Sequence, residues 1–271
     1  MDRKTTNSVT SEENLLMPGD DILSLAPPPA DERVPYGSDA HQFGDLRLPK
    51  GNGPHPLVMN IHGGFWRNEY DLTHAGHLCA ALTGKGVATW NLEYRRVGDE
   101  GGGWPGTFSD ITNGYRFIAQ LPKRYHLDAE KVVVMGHSAG GQLALCLAGH
   151  QASVKHAISL AGVVDLRRAW DLHLGTNAVV EFLGGPLDQV PEHYHEADPT
   201  HLALKAEQWL FHGLEDHVVP PPFSRDYCDQ KKRKKENVHL VEIAKAGHFE
   251  LIDPRSTAWP QIEQTVLRLF A

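Results

Sequence analysis

The sequence predicts an α/β domain with a mostly parallel, doubly wound β-sheet that carries a small helical insertion. From about residue 41 onward, short apolar or β-branched runs alternate with longer segments of helical pattern. Strands separated by helix-length segments need crossover connections, which produce a parallel sheet covered by helices on both faces. The chain has 271 residues, of which 41% are hydrophobic and 22% charged, enough for one such domain over residues 31–271.

Seven apolar runs have the length and composition of strands. They are predicted at 43–48, 57–61, 87–92, 131–135, 156–160, 208–211 and 238–243. Helices are predicted between them at 73–83, 108–121, 140–148, 221–235 and 257–270. The segment 108–121 follows Thr107-x-x-Asp110, a pattern typical of a helix start. The segment 140–148 is apolar on all sides, which predicts a buried helix.

Two regions interrupt this alternation. Residues 1–30 are polar and then proline-rich, which predicts an N-terminal arm with at most one short helix. Residues 165–205 are rich in Trp, His, Leu and Pro, and we expect them to form a small helical, cap-like insertion at the carboxyl edge of the sheet. Two interpretations stay open for five apolar side chains of this insertion, the lining of a cap over the site or a helix that packs on the main domain: Trp170, Leu172, Leu174, Phe182 and Leu183.

The charge balance argues against nucleic acid or membrane as a partner. The 26 Lys and Arg residues face 34 Asp and Glu residues, for a net charge of −8, whereas phosphate binding needs a basic surface. The basic run 231–235 falls late in a predicted helix, where cations complement the helix dipole, so we expect it to be solvated. No apolar run approaches the length of a membrane span.

The cysteines and the N-terminus predict a cytoplasmic location. The chain has three widely spaced cysteines, an odd number that favours reduced thiols over a disulfide framework. The first twenty residues are polar and lack the apolar run of a signal peptide.

The strongest chemical signal is Gly136-His137-Ser138-Ala139-Gly140, which fits the pattern G-x-S-x-G between a predicted strand and a predicted helix. In that context the serine lies on a sharp, strained turn, and the glycines avoid clashes around it. The turn exposes the Ser138 hydroxyl at the sheet edge and puts the Ala139 N–H at a helix N-terminus, where negative charge is favoured. Ser138 is therefore the candidate nucleophile.

A second glycine-rich turn, His62-Gly63-Gly64-Phe65-Trp66, follows the predicted strand 57–61. Small residues allow backbone N–H groups to approach a developing oxyanion, so Gly63, Gly64 and Ala139 are the candidate oxyanion hole. A serine nucleophile also needs a base and an orienting acid, which follow the serine along the chain in hydrolases with such an elbow. Asp216 and His248 follow the last two predicted strands and are the candidate acid and base.

These motifs resemble those of α/β-hydrolase-fold serine esterases, from about residue 35 to the end of the chain. Gly213-x-x-Asp216-x-x-Val219-Pro220 is similar to the acid loop of that superfamily, including its prolyl-oligopeptidase-like branch. The aromatic pair after His62-Gly63-Gly64 resembles the kynurenine formamidase and feruloyl/acetyl-esterase-like branch. The resemblance implies an α/β-hydrolase fold, with no metal and no organic cofactor.

The sequence therefore predicts a carboxylesterase-like hydrolase that cleaves short-chain esters through an acyl-enzyme on Ser138. Phe65, Trp66, Trp104 and His137 are the candidate substrate-binding residues. An arylformamidase that uses the same triad on a small-molecule amide is the main alternative, a peptidase is a remote one, and a non-catalytic binding module is another. A homodimer stays open as the assembly.

Overall fold

The computed structural model describes residues 20–271. In this part of the chain, a single sheet contains β1 (Glu32–Pro35), β2 (Phe43–Arg47), β3 (His55–Ile61), β4 (Ala88–Leu92), β5 (Leu127–His137), β6 (His156–Leu160), β7 (Glu207–Gly213) and β8 (Val238–Ile243). Its order is β1-β2-β4-β3-β5-β6-β7-β8. β1 pairs with β2, and β2 with β4, in antiparallel fashion, while the remaining neighbours are parallel. All seven predicted strands are present, and β1 is the one that the sequence analysis missed.

The α-helices of the described chain are α1 (Gly76–Thr83), α2 (Gly106–Phe117), α3 (Ala139–His150), α4 (Leu166–Asp171), α5 (Leu174–Leu183), α6 (Pro191–Ala197), α7 (Pro222–Arg233) and α8 (Trp259–Arg268). The prediction of a buried helix after Ser138 is confirmed, since α3 is buried from Ala139 to Ala148. A helix without a polar face needs cover on all sides, and α3 receives it from the sheet and from α2.

The parallel strands end together where the candidate site was predicted. Ile61 of β3 pairs with Gly136 of β5, and His137 pairs with Leu160 of β6. The loops after β3, β5, β7 and β8 therefore leave the same edge of the sheet. Such carboxyl edges are where ligand sites of open α/β sheets form.

The expected start of the helix at Thr107-x-x-Asp110 is wrong, because α2 already begins at Gly106. Neither side chain caps it. The Thr107 hydroxyl donates to the carbonyl of Arg95 at 2.6 Å and accepts from the Gly103 N–H at 3.1 Å. The Asp110 carboxylate binds the Arg95 guanidinium at 2.7 and 2.8 Å. Both polar groups hold the loop that follows β4.

The basic run at the end of α7 is also not a simply solvated helix end. Lys231 is fully buried, and its ammonium group donates to the carbonyl of Leu202 and lies 3.5 Å from Glu236 Oε1. Burial lowers the pKa of Lys231, and the Glu236 carboxylate partly opposes that shift. Lys234 donates to the carbonyl of Thr200 at 3.1 Å. Part of the run therefore fastens α7 to the segment before β7.

Residues 165–205 contain α4, α5 and α6. The segment contacts α3 through Gln142, whose side-chain amide donates to the Ala197 carbonyl at 2.8 Å. Residues 1–19 of the predicted N-terminal arm lie outside the described residues, while Asp20–Ser24 forms a short 3-10 helix. Within residues 20–271, we find no helix with the length and apolar character needed to cross a membrane.

Candidate active site

Ser138 lies on a strained turn between β5 and α3, with φ of 56° and ψ of −120°. Its backbone N–H donates to the Leu160 carbonyl at 2.8 Å, so the turn is tied to β6. Glycine is required at the two neighbouring positions, 136 and 140, because backbone carbonyl groups lie too close for a side chain. A Cβ on Gly140 would lie 2.1 Å from the Ile61 carbonyl oxygen, and one on Gly136 would lie 2.1 Å from the Gly140 carbonyl oxygen. The elbow geometry predicted from the G-x-S-x-G pattern is present.

Asp216 and His248 lie side by side, on the loops after β7 and β8. His248 Nδ1 is 2.7 Å from Asp216 Oδ2, and both side chains are almost fully buried. The other carboxylate oxygen, Oδ1, accepts the backbone N–H groups of Val218 and Val219, each at 2.8 Å. The two backbone hydrogen bonds hold the carboxylate in place, and the imidazole is bound to that carboxylate through Nδ1. Nε2 remains as the nitrogen available to a nucleophile.

A buried histidine that the sequence analysis missed completes this arrangement. His212 Nε2–H donates to the Val219 carbonyl at 2.8 Å and lies 3.4 Å from Asp216 Oδ2. Its Nδ1 accepts from the Ser224 hydroxyl at 2.7 Å. Burial alone would raise the pKa of Asp216, but hydrogen bonds from His212 and His248 hold that pKa well below its usual range. The acid therefore stays ionised throughout the neutral range.

The predicted oxyanion loop lies directly against the elbow. A Cβ on Gly63 would be 2.9 Å from the His137 carbonyl oxygen and 3.0 Å from Ser138 Cβ, so only glycine fits there. The next residues have positive φ angles, 111° at Gly64, 50° at Phe65 and 59° at Trp66. Such a run of left-handed backbone is costly and persists only where its surroundings impose it.

Buried contacts impose this conformation. The Trp66 indole N–H donates to Gln142 Oε1 of α3 at 3.0 Å. The His62 ring stacks on Tyr94 with centroids 4.4 Å apart, and His62 Nε2 lies 3.0 Å from Glu93 Oε1. Glu93 also pairs with Arg96 at 3.1 Å. The loop is therefore anchored to both α3 and the end of β4.

Glu93 gives a test of this anchoring. Burial opposes its ionisation, but His62 and Arg96 lower the pKa of Glu93 below its usual value. We expect Glu93→Gln to reduce the free energy of unfolding at pH 7 by about 3 kcal/mol, because it removes one of the two carboxylates that pair with the buried Arg96 guanidinium. A group with a lowered native pKa stabilises the fold above its unfolded pKa, about 4.3 for Glu, and loses that effect as the pH falls through the native pKa.

Urea titration at two pH values measures this effect. The deficit of Glu93→Gln should shrink as the pH falls below the unfolded pKa of about 4.3 and then through the lowered native pKa, where the wild-type carboxyl also becomes protonated. The matched control is Glu69→Gln. Glu69 is exposed in the loop after β3, so its substitution should change stability little. Equal effects of the two substitutions would contradict the anchoring role of Glu93.

A cavity of about 260 Å³ opens over Ser138 and His248. Gly64, Phe65 and His137, also predicted as site residues, line it. The sequence analysis did not assign the other lining residues, which are Leu23, Tyr70, His74, Val218 and Phe249. Four of these five residues, all but Leu23, lie in loops at the carboxyl edge of the sheet. The only feature of the sequence that could have identified these four is their position after a predicted strand.

The two remaining histidines of the cavity are neutral. Burial lowers the pKa of His74 to about 3, and the neighbouring His62 adds to this effect. Burial and then His248 lower the pKa of His137 well below its usual value. His137 Nε2–H donates to the His248 carbonyl at 3.0 Å, so this ring supports the backbone of the candidate base. Neither His74 nor His137 therefore adds a charge to the cavity.

Trp66 and Trp104 do not line this cavity, which corrects their assignment to substrate binding. Trp66 is 1% exposed and stacks on Phe182 of α5, with centroids 4.6 Å apart. Trp104 packs on Phe108 and against the edge of Phe182. The Trp66 indole thus packs the predicted oxyanion loop against α5. The Trp104 indole packs the glycine-rich loop 101–103 against α2 and α5.

No residue of 165–205 lines this cavity, so the apolar side chains of the insertion do not form a cap over it. The alternative of packing on the main domain fits Phe182 and Leu183, which are buried in the hydrophobic core. Helix α5 instead packs against the predicted oxyanion loop. Phe182 stacks on Trp66, and a Cβ added at Gly175 would lie 2.7 Å from the Phe65 ring. Among the described residues, no group of three or more His, Cys, Asp or Glu side chains could hold a metal ion.

In a comparison with known families, residues 45–230 match the family model BD-FAE. Among curated proteins, the chain is 23% identical over 244 residues to a probable isoprenylcysteine alpha-carbonyl methylesterase of Arabidopsis thaliana. It is 25% identical over 241 residues to the probable carboxylic ester hydrolase LipM of Mycobacterium tuberculosis. The matches cover 80% and 81% of this chain, which spans about half the length of these relatives, 50% and 56%.

Solved structures share the fold. Esterase B of Lactobacillus rhamnosis, bound to an inhibitor, has a TM-score of 0.77 at 17% identity, over 93% of this chain and 91% of that one. The thermophilic esterase Est2 of Thermogutta terrifontis, bound to propionate, has a TM-score of 0.72 at 20% identity, over 89% and 93%. The predicted α/β-hydrolase fold is thereby confirmed.

Proposed function

The chain belongs to the BD-FAE family, and we propose that it is a serine hydrolase that cleaves short-chain carboxylic esters. The observation that carries this proposal is the 2.7 Å contact between His248 and Asp216, in a pair whose histidine shares one cavity with the strained Ser138. The ester-hydrolase names of the relatives support the same reaction class. The three cysteines are free and buried, which supports a cytoplasmic location as a further proposal.

In the proposed reaction, Ser138 Oγ attacks the acyl carbon while His248 Nε2 takes the hydroxyl proton. Asp216 holds the imidazole tautomer and stabilises the imidazolium. The N–H groups of Ala139 and of Gly63 or Gly64 bind the oxyanion, each donor contributing about 3 kcal/mol to the transition state. The ester C–O bond then breaks, and His248 protonates the departing alcohol. Water, deprotonated by His248, releases the acid from Ser138.

The cavity favours small substrates. Its volume of about 260 Å³ falls at or below the lower end for sites that enclose drug-sized ligands. Phe65 and Phe249 offer flat apolar surfaces beside Ser138. We therefore propose acyl groups of about two to six carbons with a flat or aromatic leaving group, for which each stacking contact contributes about 1 kcal/mol.

A panel of p-nitrophenyl esters from acetate to palmitate tests this proposal. We expect kcat/KM for acetate or butyrate to exceed that for palmitate by at least about tenfold, because a long chain cannot be enclosed. A higher rate on palmitate would refute the short-acyl proposal. N-formyl-kynurenine is included in the panel, because an efficiency well above that of every simple ester would identify the enzyme as an arylformamidase.

A further inference from the structure

One wall of the cavity comes from outside the region that matches the BD-FAE family. Leu23 lines the cavity together with Phe65, Tyr70 and Phe249. It belongs to the 3-10 helix Asp20–Ser24, which precedes the family match at residues 45–230. The family match includes the candidate nucleophile and acid, whereas Leu23 precedes it and His248 and Phe249 follow it.

The segment is held in place by contacts on both sides of Leu23. Ile22 is 1% exposed and belongs to an apolar cluster that includes Leu251 and Trp259. Asp21 Oδ2 accepts from the Arg255 guanidinium at 3.0 Å. The Leu25 carbonyl accepts from His77 Nε2 at 3.2 Å. With Ile22 anchored in the core, the Leu23 side chain is directed to a fixed position in the cavity wall.

Leu23 and Tyr70 are the wall residues with the most exposed side chains, at 38% and 44%. The deeper walls, Phe65 and Phe249, are half-buried, and His74 is buried. The exposed pair therefore lies at the solvent-facing rim of the cavity, which we call its mouth, and a substrate group that extends beyond the interior would contact this rim. A leucine at that position restricts the mouth by its volume alone, since it offers no hydrogen bond.

We propose that Leu23 is a specificity-determining residue, which sets the upper size limit of the ester that reaches Ser138. This inference rests on the proposed esterase function. Removing the side chain beyond Cβ should widen the mouth, and a larger side chain should narrow it. Because Leu23 does not contact the reacting atoms, its substitution should change the ranking of substrates rather than the chemistry on the smallest one.

Leu25 supplies a matched control. It is 39% exposed, lies two residues away on the same segment, and borders a different groove together with His77 and Arg255. Truncation of either leucine removes the same number of atoms from a similarly exposed site. Any effect of a general loosening of the segment should therefore appear in both variants.

The test compares wild type, Leu23→Ala, Leu23→Trp and Leu25→Ala in two series, with acyl length varied at a fixed p-nitrophenol and with alcohol size varied at a fixed acetyl group. We expect Leu23→Ala to raise kcat/KM for the larger members relative to acetate by about tenfold in at least one series. Leu23→Trp should shift the ratio in the opposite direction, and Leu25→Ala should resemble wild type. The series that responds identifies the substrate group that passes Leu23.

Unchanged ratios in both Leu23 variants, in an active wild-type enzyme, would overturn the role of Leu23 and leave the esterase proposal standing. Equal shifts in Leu23→Ala and Leu25→Ala would overturn it as well, because they would indicate loosening of the whole segment. A wild-type protein that hydrolyses no ester and is not labelled by a fluorophosphonate would instead refute the proposed function itself.

Discussion

Ser138→Ala is expected to lower kcat by a factor of about 10⁴ or more while leaving the fold intact. The substitution removes only the hydroxyl oxygen, and the Cβ that the strained turn already accommodates is retained at φ of 56°. Among the described residues that line the cavity, Ser138 is the only serine or threonine. The measurement is turnover of p-nitrophenyl butyrate, with urea denaturation as the check on folding.

Ser159→Ala is the matched control for this experiment. Ser159 lies on the neighbouring strand β6, opposite Gly136 of β5, and its hydroxyl is buried without a hydrogen-bond partner among the described residues. Its loss should leave turnover within about twofold of wild type, because it changes no contact of the site. Retention of more than about a tenth of the activity in a folded Ser138→Ala variant would exclude Ser138 as the nucleophile.

Asp216→Asn is expected to lower kcat by about 10⁴-fold, the size of effect known for the acid of a serine triad. The two backbone N–H groups of Val218 and Val219 require an acceptor at the Oδ1 position. The new amide nitrogen must then face His248 Nδ1 and donate to it. The imidazole is thereby held with its proton on Nε2, in the tautomer that cannot accept the proton of Ser138.

The control for this variant is Asp253→Asn. Asp253 is a nearby buried carboxylate in the loop after His248, and it binds Arg255 at 2.7 Å rather than either histidine of the site. We expect this substitution to leave kcat nearly unchanged. Comparable losses in the two variants would mean that Asp216 has no special relation to His248.

The local features of this protein could be predicted because each of them depends on residues that are contiguous in the sequence. The elbow around Ser138 needs glycines at fixed spacing, and strands such as β3, β4 and β6 appear as apolar runs because they are buried on both faces. The candidate acid and base also followed from position, since Asp216 and His248 come directly after successive strands. Each of these inferences uses only neighbours along the chain.

The features that were missed depend on side-chain contacts that form only in the folded chain, some of them between residues close in sequence. His212 looked like an ordinary strand-end residue, and its role beside Asp216 appears only when β7 and the acid loop are folded together. Lys231 belongs to a basic run, but Leu202 and Glu236 surround it. Trp104 was expected in the cavity because it is aromatic and follows glycines. Its indole instead packs against Phe108 and Phe182.

The most direct test of the central claim is to label the nucleophile covalently, because an activated serine hydroxyl displaces fluoride from a fluorophosphonate and forms a stable phosphonyl ester. Wild-type protein is treated with a small alkyl fluorophosphonate, and the intact mass and the modified peptide are determined alongside residual ester hydrolysis. The account predicts one adduct per chain, on Ser138, with loss of activity in proportion to labelling and no adduct in Ser138→Ala. Full ester hydrolysis without an adduct, or an adduct on another residue that abolishes activity, would contradict it.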